Sequence, residues 1–466
     1  MLDLSLAERI LRRALRDGGD FAEVFVESRE GYSLRLEEEK VEENVTGRET
    51  GAGVRVVYGE SAAYAFTNDL GEASLLETAA AAAAAVRGSS GDVVVDLTAD
   101  APRGAGESLP PERPPEEVPR QEKLELARRA DRAAREQGQE VVQVIVALGD
   151  SRQRVLIAAS DGRFREDERV RVRLLVQVVA ARGGEIQTGY EAPGILGGYE
   201  LFERFDPAEL GAAAARQALI MLDARPAPSG PFPVIIANGT GGVLFHEACG
   251  HGLEADAVFK DASVFAGRLG EKVASELVFA YDDPTLPGIW GSYLLDDEGT
   301  PAARTPLIEA GVLRSFINDL KRARRDGTMP TGNGRRQSYR HLPIPRMSNT
   351  FIAPGDLSPE EIIADTRRGI YAKKLGGGEV NPVTGDFIFA VTEGYLVEGG
   401  RIGDPIRGAT LIGNGPRVLE GIDAIANDLD FDAGMCGKDG QSVPVSTGQP
   451  TLRVGELVVG GTAEVG

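Results

Sequence analysis

Phe232-Pro233-Val234-Ile235-Ile236-Ala237-Asn238-Gly239-Thr240-Gly241-Gly242 runs directly into Val243-Leu244-Phe245-His246-Glu247-Ala248-Cys249-Gly250-His251. The first six residues are a short apolar run with β-branched side chains, which predicts a strand. The Asn-Gly-Thr-Gly-Gly stretch predicts a turn, and a helix is expected to begin near Thr240. Two of the three histidines in the 466-residue chain stand in that helix and bracket a glutamate. Neutral imidazoles are preferred zinc ligands, and a neighbouring carboxylate can take a proton from a water that the metal activates.

The spacing is H-E-x-x-x-H, one residue longer than the zinc peptidase motif H-E-x-x-H. On a regular α-helix, positions four apart differ by about 40° around the axis and positions five apart by about 140°. A straight helix would splay the rings. One metal can be shared only across a π-bulge or a break, for which Gly250 and Gly252 are the candidate residues.

Composition leaves room for an enzyme. The chain has 42% hydrophobic residues, enough for two or three cores. Its net charge of −21 argues against a nucleic-acid surface, whose affinity depends on neutralising phosphates. The basic cluster Lys321-Arg322-Ala323-Arg324-Arg325 reads as a solvated helix face. No run is long enough for a membrane span, and the N-terminus, with arginines at 9, 12, 13 and 16, reads as an amphipathic helix rather than a signal peptide. With only two cysteines in the whole chain, a disulfide framework is not expected, which fits a cytoplasmic protein.

Residues 4 to 16 carry a single apolar stripe and predict a helix. Short strands are expected at Phe21 to Glu27, Tyr32 to Glu38, Gly53 to Tyr58 and Ser61 to Phe66, then an alanine-rich helix from Leu70 to Val86. Six prolines between 101 and 119 mark a loop or linker. The order then repeats: a helix near Glu122 to Gln137, strands near Val141 to Leu148, Arg154 to Ser160, Arg169 to Ala180 and Gly184 to Glu191, and a helix over Pro207 to Leu222. This reads either as a weak internal duplication or as a coincidence of order. Arg225-Pro226-Ala227-Pro228-Ser229-Gly230-Pro231 is the best domain boundary. The fold class is therefore α+β: a helix-plus-antiparallel-sheet domain over 1–224, and a β-rich, barrel-like domain over 232–466 that carries the metal site.

A catalytic zinc usually has three protein ligands and one open position. Beyond His246 and His251 the candidates are His341, Cys249, Cys436, Glu254 and Asp256. Cys249 lies too close to His246 without further distortion. Cys436 sits in the glycine-rich turn Gly434-Met435-Cys436-Gly437-Lys438-Asp439-Gly440, where Lys438 would help lower its pKa. His341 reads on its own as structural.

Several blocks in one order carry a resemblance: His246-Glu247 with His251-Gly252-Leu253-Glu254, Asp296-Asp297-Glu298-Gly299-Thr300-Pro301, Pro330-Thr331-Gly332-Asn333-Gly334-Arg335-Arg336, Gly376-Gly377-Gly378, Gly408 to Gly413, Cys436 to Gln441, and Gly448-Gln449-Pro450-Thr451-Leu452. On these the chain resembles the metal-bearing members of the TldD/PmbA family of zinc metallopeptidases. The resemblance implies one zinc ion per chain on His246, His251 and Cys436, with Glu247 as general base. It also implies hydrolysis of short, unstructured peptides, and a dimer, either of identical chains or with a PmbA-like subunit. Extended peptides are commonly held by adding a strand to a sheet edge. Gly376, Gly377 and Gly378 are candidate substrate-binding residues on that ground, the other reading being a tight turn with positive φ. A catalytically silent subunit with structural zinc, and a zinc hydrolase acting on non-peptide amides or esters, stand as the alternatives.

Overall fold

The computed structural model describes residues 2–86, 98–99 and 110–463. The architecture is mixed α+β. Of the expected linker, 101–109 lie outside the described residues; a 3₁₀ turn at Pro115–Glu117 leads into helix Arg120–Arg135.

The N-terminal half is built on one large sheet. Its strands run in the order Ser61–Thr67, Lys40–Tyr58, Phe21–Glu37, Val141–Ala159, Arg163–Arg182, and Thr98–Ala99, Glu185–Glu191 and Gly194–Leu196 pair with the last of these. The main order is symmetric about the antiparallel pair Phe21–Glu37 and Val141–Ala159. Each half contributes a leading helix, a long hairpin with a short third strand, and a closing helix, as the repeated order in the sequence implies. The helices cover one face. Ile10, Leu11 and Ala14 bury against Val24, Val54 and Val56, and Leu126, Ala130 and Ala214 against Val144, Val172 and Leu174. Each fully buried large aliphatic side chain contributes roughly 1.5–3 kcal/mol.

Lys40–Tyr58 and Arg163–Arg182 outrun their expected spans, and two other strands each join two expected ones. Phe21–Glu37 and Val141–Ala159 pass straight through the polar stretches at 28–31 and 149–153, where breaks are predicted. Both strands are paired on both sides there: Gly31 lies opposite Gly47 on one side and Ser151 on the other. Ladder hydrogen bonds hold the backbone extended even where the local residues favour a turn.

The polar face of this sheet is covered by the C-terminal half through buried ion pairs. Arg55 bridges Glu23 at 2.8 Å and Glu298 at 2.7 Å, Arg169 bonds Asp297 at 2.8 Å and Asp167 at 2.9 Å, and Arg336 bonds Glu23 and the Asp297 carbonyl. The blocks Asp296 to Thr300 and Gly334 to Arg336 are thus a clasp between the halves. Removing one partner of a buried pair strands the other charge. Arg336→Met is expected to cost roughly 3–5 kcal/mol, read as a lower urea midpoint for the transition that separates or unfolds the halves.

In the C-terminal half, Gly230–Ile236, Leu452–Gly460, Thr410–Asn414, Asp386–Glu398 and Arg368–Val380 close into a five-stranded barrel, the last pairing back to the first. A six-stranded sheet stands beside it, in the order Val312–Leu313, Thr305–Glu309, Ala280–Asp282, Asn349–Ile352, Gln441–Gln449, Asp430–Lys438. The motif helix is buried between the two, with Leu244, Phe245 and Ala248 in one core with Ile236, Ile352, Ile370 and Phe387. The basic cluster at 321–325 is less free than expected: Arg324 bonds Asp161 at 3.3 Å and Arg325 pairs with Glu60 at 3.6 Å. No described helix is long and apolar enough to cross a membrane.

Candidate metal centre

The motif helix is short. A 3₁₀ turn over Gly239–Gly241 leads into α-helix Gly242–Ala248, which ends at Cys249 with φ −129° and ψ −46°. A second 3₁₀ turn, Gly250–Leu253, carries His251. The five-residue spacing is therefore reconciled by a break rather than a π-turn. Cys249 makes the bend, and Gly250 permits close packing, since a Cβ there would lie 2.3 Å from Met347 Sδ.

The break turns both rings onto one sulfur. His246 Nε2 and His251 Nε2 each lie 3.4 Å from Cys436 Sγ, and the rings stand nearly perpendicular at 83°. Cys436 arrives from strand Asp430–Lys438, which pairs with Gln441–Gln449, against which the motif helix packs. Among the described residues, the group able to hold a metal has these three members, with ligand atoms within 4.8 Å of one another. Tetrahedral zinc with bonds of about 2.0–2.1 Å to nitrogen and 2.3 Å to sulfur has an N···S edge of roughly 3.6 Å. The donor set and its spacing fit that ion.

The electrostatics also suit a cation. Burial raises the Cys436 pKa, but hydrogen bonds and charge from His246 and His251 outweigh it and bring the thiol down to about 5. Lys438, expected to help, instead bonds Glu254 at 2.8 Å and Asp256 at 2.6 Å. Burial disfavours charge on His251 too, yet Glu254 and Cys436 raise its pKa well above the ordinary imidazole value.

Glu254 does not join the cluster. Its Oε2 accepts from His251 Nδ1 at 3.0 Å, which fixes the tautomer that leaves Nε2 free. Although burial raises its pKa, His251 and Lys438 hold it at about 2. A carboxylate three residues after His251 and a lysine two residues after Cys436 were the available signals for this relay. Glu254→Gln is expected to weaken metal binding by roughly 10–100-fold in chelator competition. His246 Nδ1, in contrast, is buried with no hydrogen-bond partner among the described residues.

Glu247 sits beside the cluster without being one of its three members. Its Oε2 is 3.7 Å from His251 Nε2, and its side chain is 37% exposed at a cavity of about 310 Å³, lined also by His251, Glu254, Val380, Pro382 and Lys438. The other candidates lie elsewhere. Cys249 is buried in the apolar core, where burial pushes its thiol up; His341 bonds Ser338 Oγ at 3.0 Å; Asp256 is held by Lys438.

Gly376, Gly377 and Gly378 lie within strand Arg368–Val380, where its register against Asp386–Glu398 shifts. None of the three has positive φ, so the tight-turn reading does not apply. At Gly378 a Cβ would meet Phe389 at 2.3 Å and the Ile388 carbonyl at 2.4 Å, which accounts for that glycine by packing. The cavity wall is formed by Val380 and Pro382 rather than by the glycines.

Family models described as PmbA/TldA metallopeptidase domain 1, central domain and C-terminal domain match residues 22–86, 113–222 and 229–461. The chain belongs to the PmbA/TldD metallopeptidase family. It is 38% identical over 455 residues to a metalloprotease TldD homolog of Haemophilus influenzae, covering 95% of this chain and 93% of that one. It is also 38% identical to a metalloprotease of Methanothermobacter thermautotrophicus, covering 96% and 97%. A zinc metalloprotease TldD homolog of Saccharolobus solfataricus is 35% identical over 288 residues, 61% of this chain and 64% of that one. The fold is similar to the crystal structure of TldE from Thermococcus kodakarensis, with a TM-score of 0.76 and 20% identity over 97% of this chain and 99% of that one. Family membership supports a metallopeptidase.

Proposed function

We propose that the protein is a zinc-dependent peptidase acting on short or unfolded peptides, with His246, His251 and Cys436 holding the metal and Glu247 as general base. The observation that carries this reading is the convergence of two imidazoles and a thiolate on one point, beside an exposed carboxylate that is not among them. Zinc held there would act as a Lewis acid, polarising the scissile carbonyl and acidifying water. Glu247 takes the proton of the attacking water and delivers it to the leaving amine. Glu254 keeps His251 oriented through Nδ1, and Lys438 bridges Glu254 and Asp256 and so holds Glu254 in place.

An extended peptide would pair along the strand edge at Gly376 to Val380. No described strand pairs with that side of Arg368–Val380 beyond Ala372, and Val380 lines the Glu247 cavity. This favours backbone recognition of unfolded chains. A structural zinc closed by four protein ligands fits less well, because the cluster has three members. The expected partner is a second chain of this fold, either another copy or a PmbA-like subunit, and the likeness in fold to TldE is consistent with the latter.

The test is metal analysis and turnover on one preparation. About one zinc per chain and cleavage of an unfolded peptide are expected. Turnover of small esters or amides with no cut in any peptide would overturn the peptidase reading.

A further inference from the structure

A cavity of about 500 Å³ lies between the two halves and away from the metal centre. Its floor is the polar face of the N-terminal sheet. Arg169, Arg171, Arg173 and Leu175 alternate along strand Arg163–Arg182 and project from that face, while Val172 and Leu174 turn toward the helices. The register then clears space beside the arginines. Ser151, Gly31 and Gly47 continue the row of Arg171 across the sheet, and Gly149 and Ser33 continue that of Arg173. A Cβ on Gly47 would meet nothing within 4 Å, so packing does not require that glycine.

The charges in this cavity do not balance. Arg169 is paired with Asp167 and Asp297, and Arg336 with Glu23. Arg171, Arg173 and Arg335 hydrogen-bond to carbonyls, of Trp290 and Ser292 for Arg171, Ala192 and Ala433 for Arg173, and Met347 and Pro444 for Arg335, and lie over aromatic rings, Trp290 for the first two and Tyr293 for the third. No described carboxylate is within ion-pairing distance of the three, and Arg171 and Arg335 are only 5% and 3% exposed. Burial, and then the neighbouring cations, lower the pKa of Arg171. Asp167, Asp432 and Asp297 act on Arg171, Arg173 and Arg335 only from beyond ion-pairing distance, and guanidinium groups without a paired carboxylate that face an open volume are costly unless an anion completes them. Trp290, Leu175, Met435 and Val443 give the wall an apolar part; Glu43 and Asp150 also line it, Asp150 being held by Lys123, so arginines still outnumber carboxylates in the lining.

We propose that this cavity is a binding site for an organic carboxylate, its carboxylate gripped by Arg171, Arg173 and Arg335 and its apolar body resting on Trp290, Leu175 and Met435. The site reaches the metal centre through one strand: Met435 lines the cavity and its neighbour Cys436 points to the other side, toward the histidines. Two sources share the chemistry, a free carboxylic acid and the C-terminal end of a peptide.

Trp290 is the only tryptophan in the chain, and it lies in the cavity wall with its indole N–H donating to the Gly434 carbonyl. Its emission reports occupancy without any turnover, so failure here is separable from failure of the peptidase reading. The full chain is titrated with N-acetyl-leucine, its neutral amide, and inorganic phosphate, with calorimetry in parallel. Saturable binding of the acid is expected, at least ~10-fold weaker for the amide, because a charge-assisted bond is lost. Arg173→Met, partly exposed and so tolerated by the fold, should weaken the acid at least ~10-fold. Gly47→Leu should block it with every arginine intact. In a Glu247→Gln background, competition by a peptide with a free C-terminus but not by its amidated form assigns the peptide source; no competition by either assigns the free acid. Equal binding of acid and amide, phosphate binding as tightly as the acid, no binding by either method, or unchanged affinity in both variants would overturn the proposal.

Discussion

Glu247→Gln is expected to keep its zinc and lose peptide cleavage by at least ~10²-fold, the lower end for general-base catalysis. The amide keeps the length and hydrogen-bonding reach of the carboxylate but cannot accept the proton. Glu247 Oε2 lies 3.7 Å from His251 Nε2, Glu247 is not among the three clustered residues, and its side chain is open to the cavity, so the variant decides between base and ligand. Metal content and turnover of an unfolded peptide are measured on the same sample. A variant that cuts as fast as the parent removes Glu247 from the mechanism. One that loses zinc makes it a ligand, and the His246, His251, Cys436 set must be redrawn.

Cys436→Ser and His251→Ala are expected to lower zinc affinity by ~10²-fold or more, a larger effect than loss of an outer partner such as Glu254. With two donors left, the ion must be held against water and buffer. Folding should survive in both. The barrel core, the two N-terminal cores and the interdomain ion pairs contain neither residue, so chelation should change the circular dichroism spectrum little. Global unfolding on zinc removal would indicate a structural metal and favour the silent-subunit alternative.

Much of the fold is legible locally because its elements follow one period each. The stripe of Ile10, Leu11 and Ala14, and the β-branched run at 234–236, are buried as their spacing implies. The long strands are not legible as single elements, because Ser28 to Gly31 and Gly149 to Gln153 have turn-like composition and are held straight only by partners far away in sequence. The alternating Arg-Val-Arg-Val-Arg at 169–173 has the period of a strand with one polar face, and burial of Arg169 and Arg171 shows that face covered. Only the docking of the second half turns surface arginines into buried ones.

At the metal centre the same division holds. Scarce histidines around a glutamate, with a spacing that a straight helix cannot serve, are properties of the sequence, and they called for the break found at Cys249. The choice of Cys436 over Cys249 and His341 is not encoded within any short window. It depends on a strand 185 residues beyond His251 delivering one sulfur to both rings, while Cys249 turns into the apolar core. Periodicity and residue chemistry act over a few residues and can be read directly. Which distant side chains share a site is decided by sheet register and by how two hydrophobic cores pack, and those are properties of the whole chain.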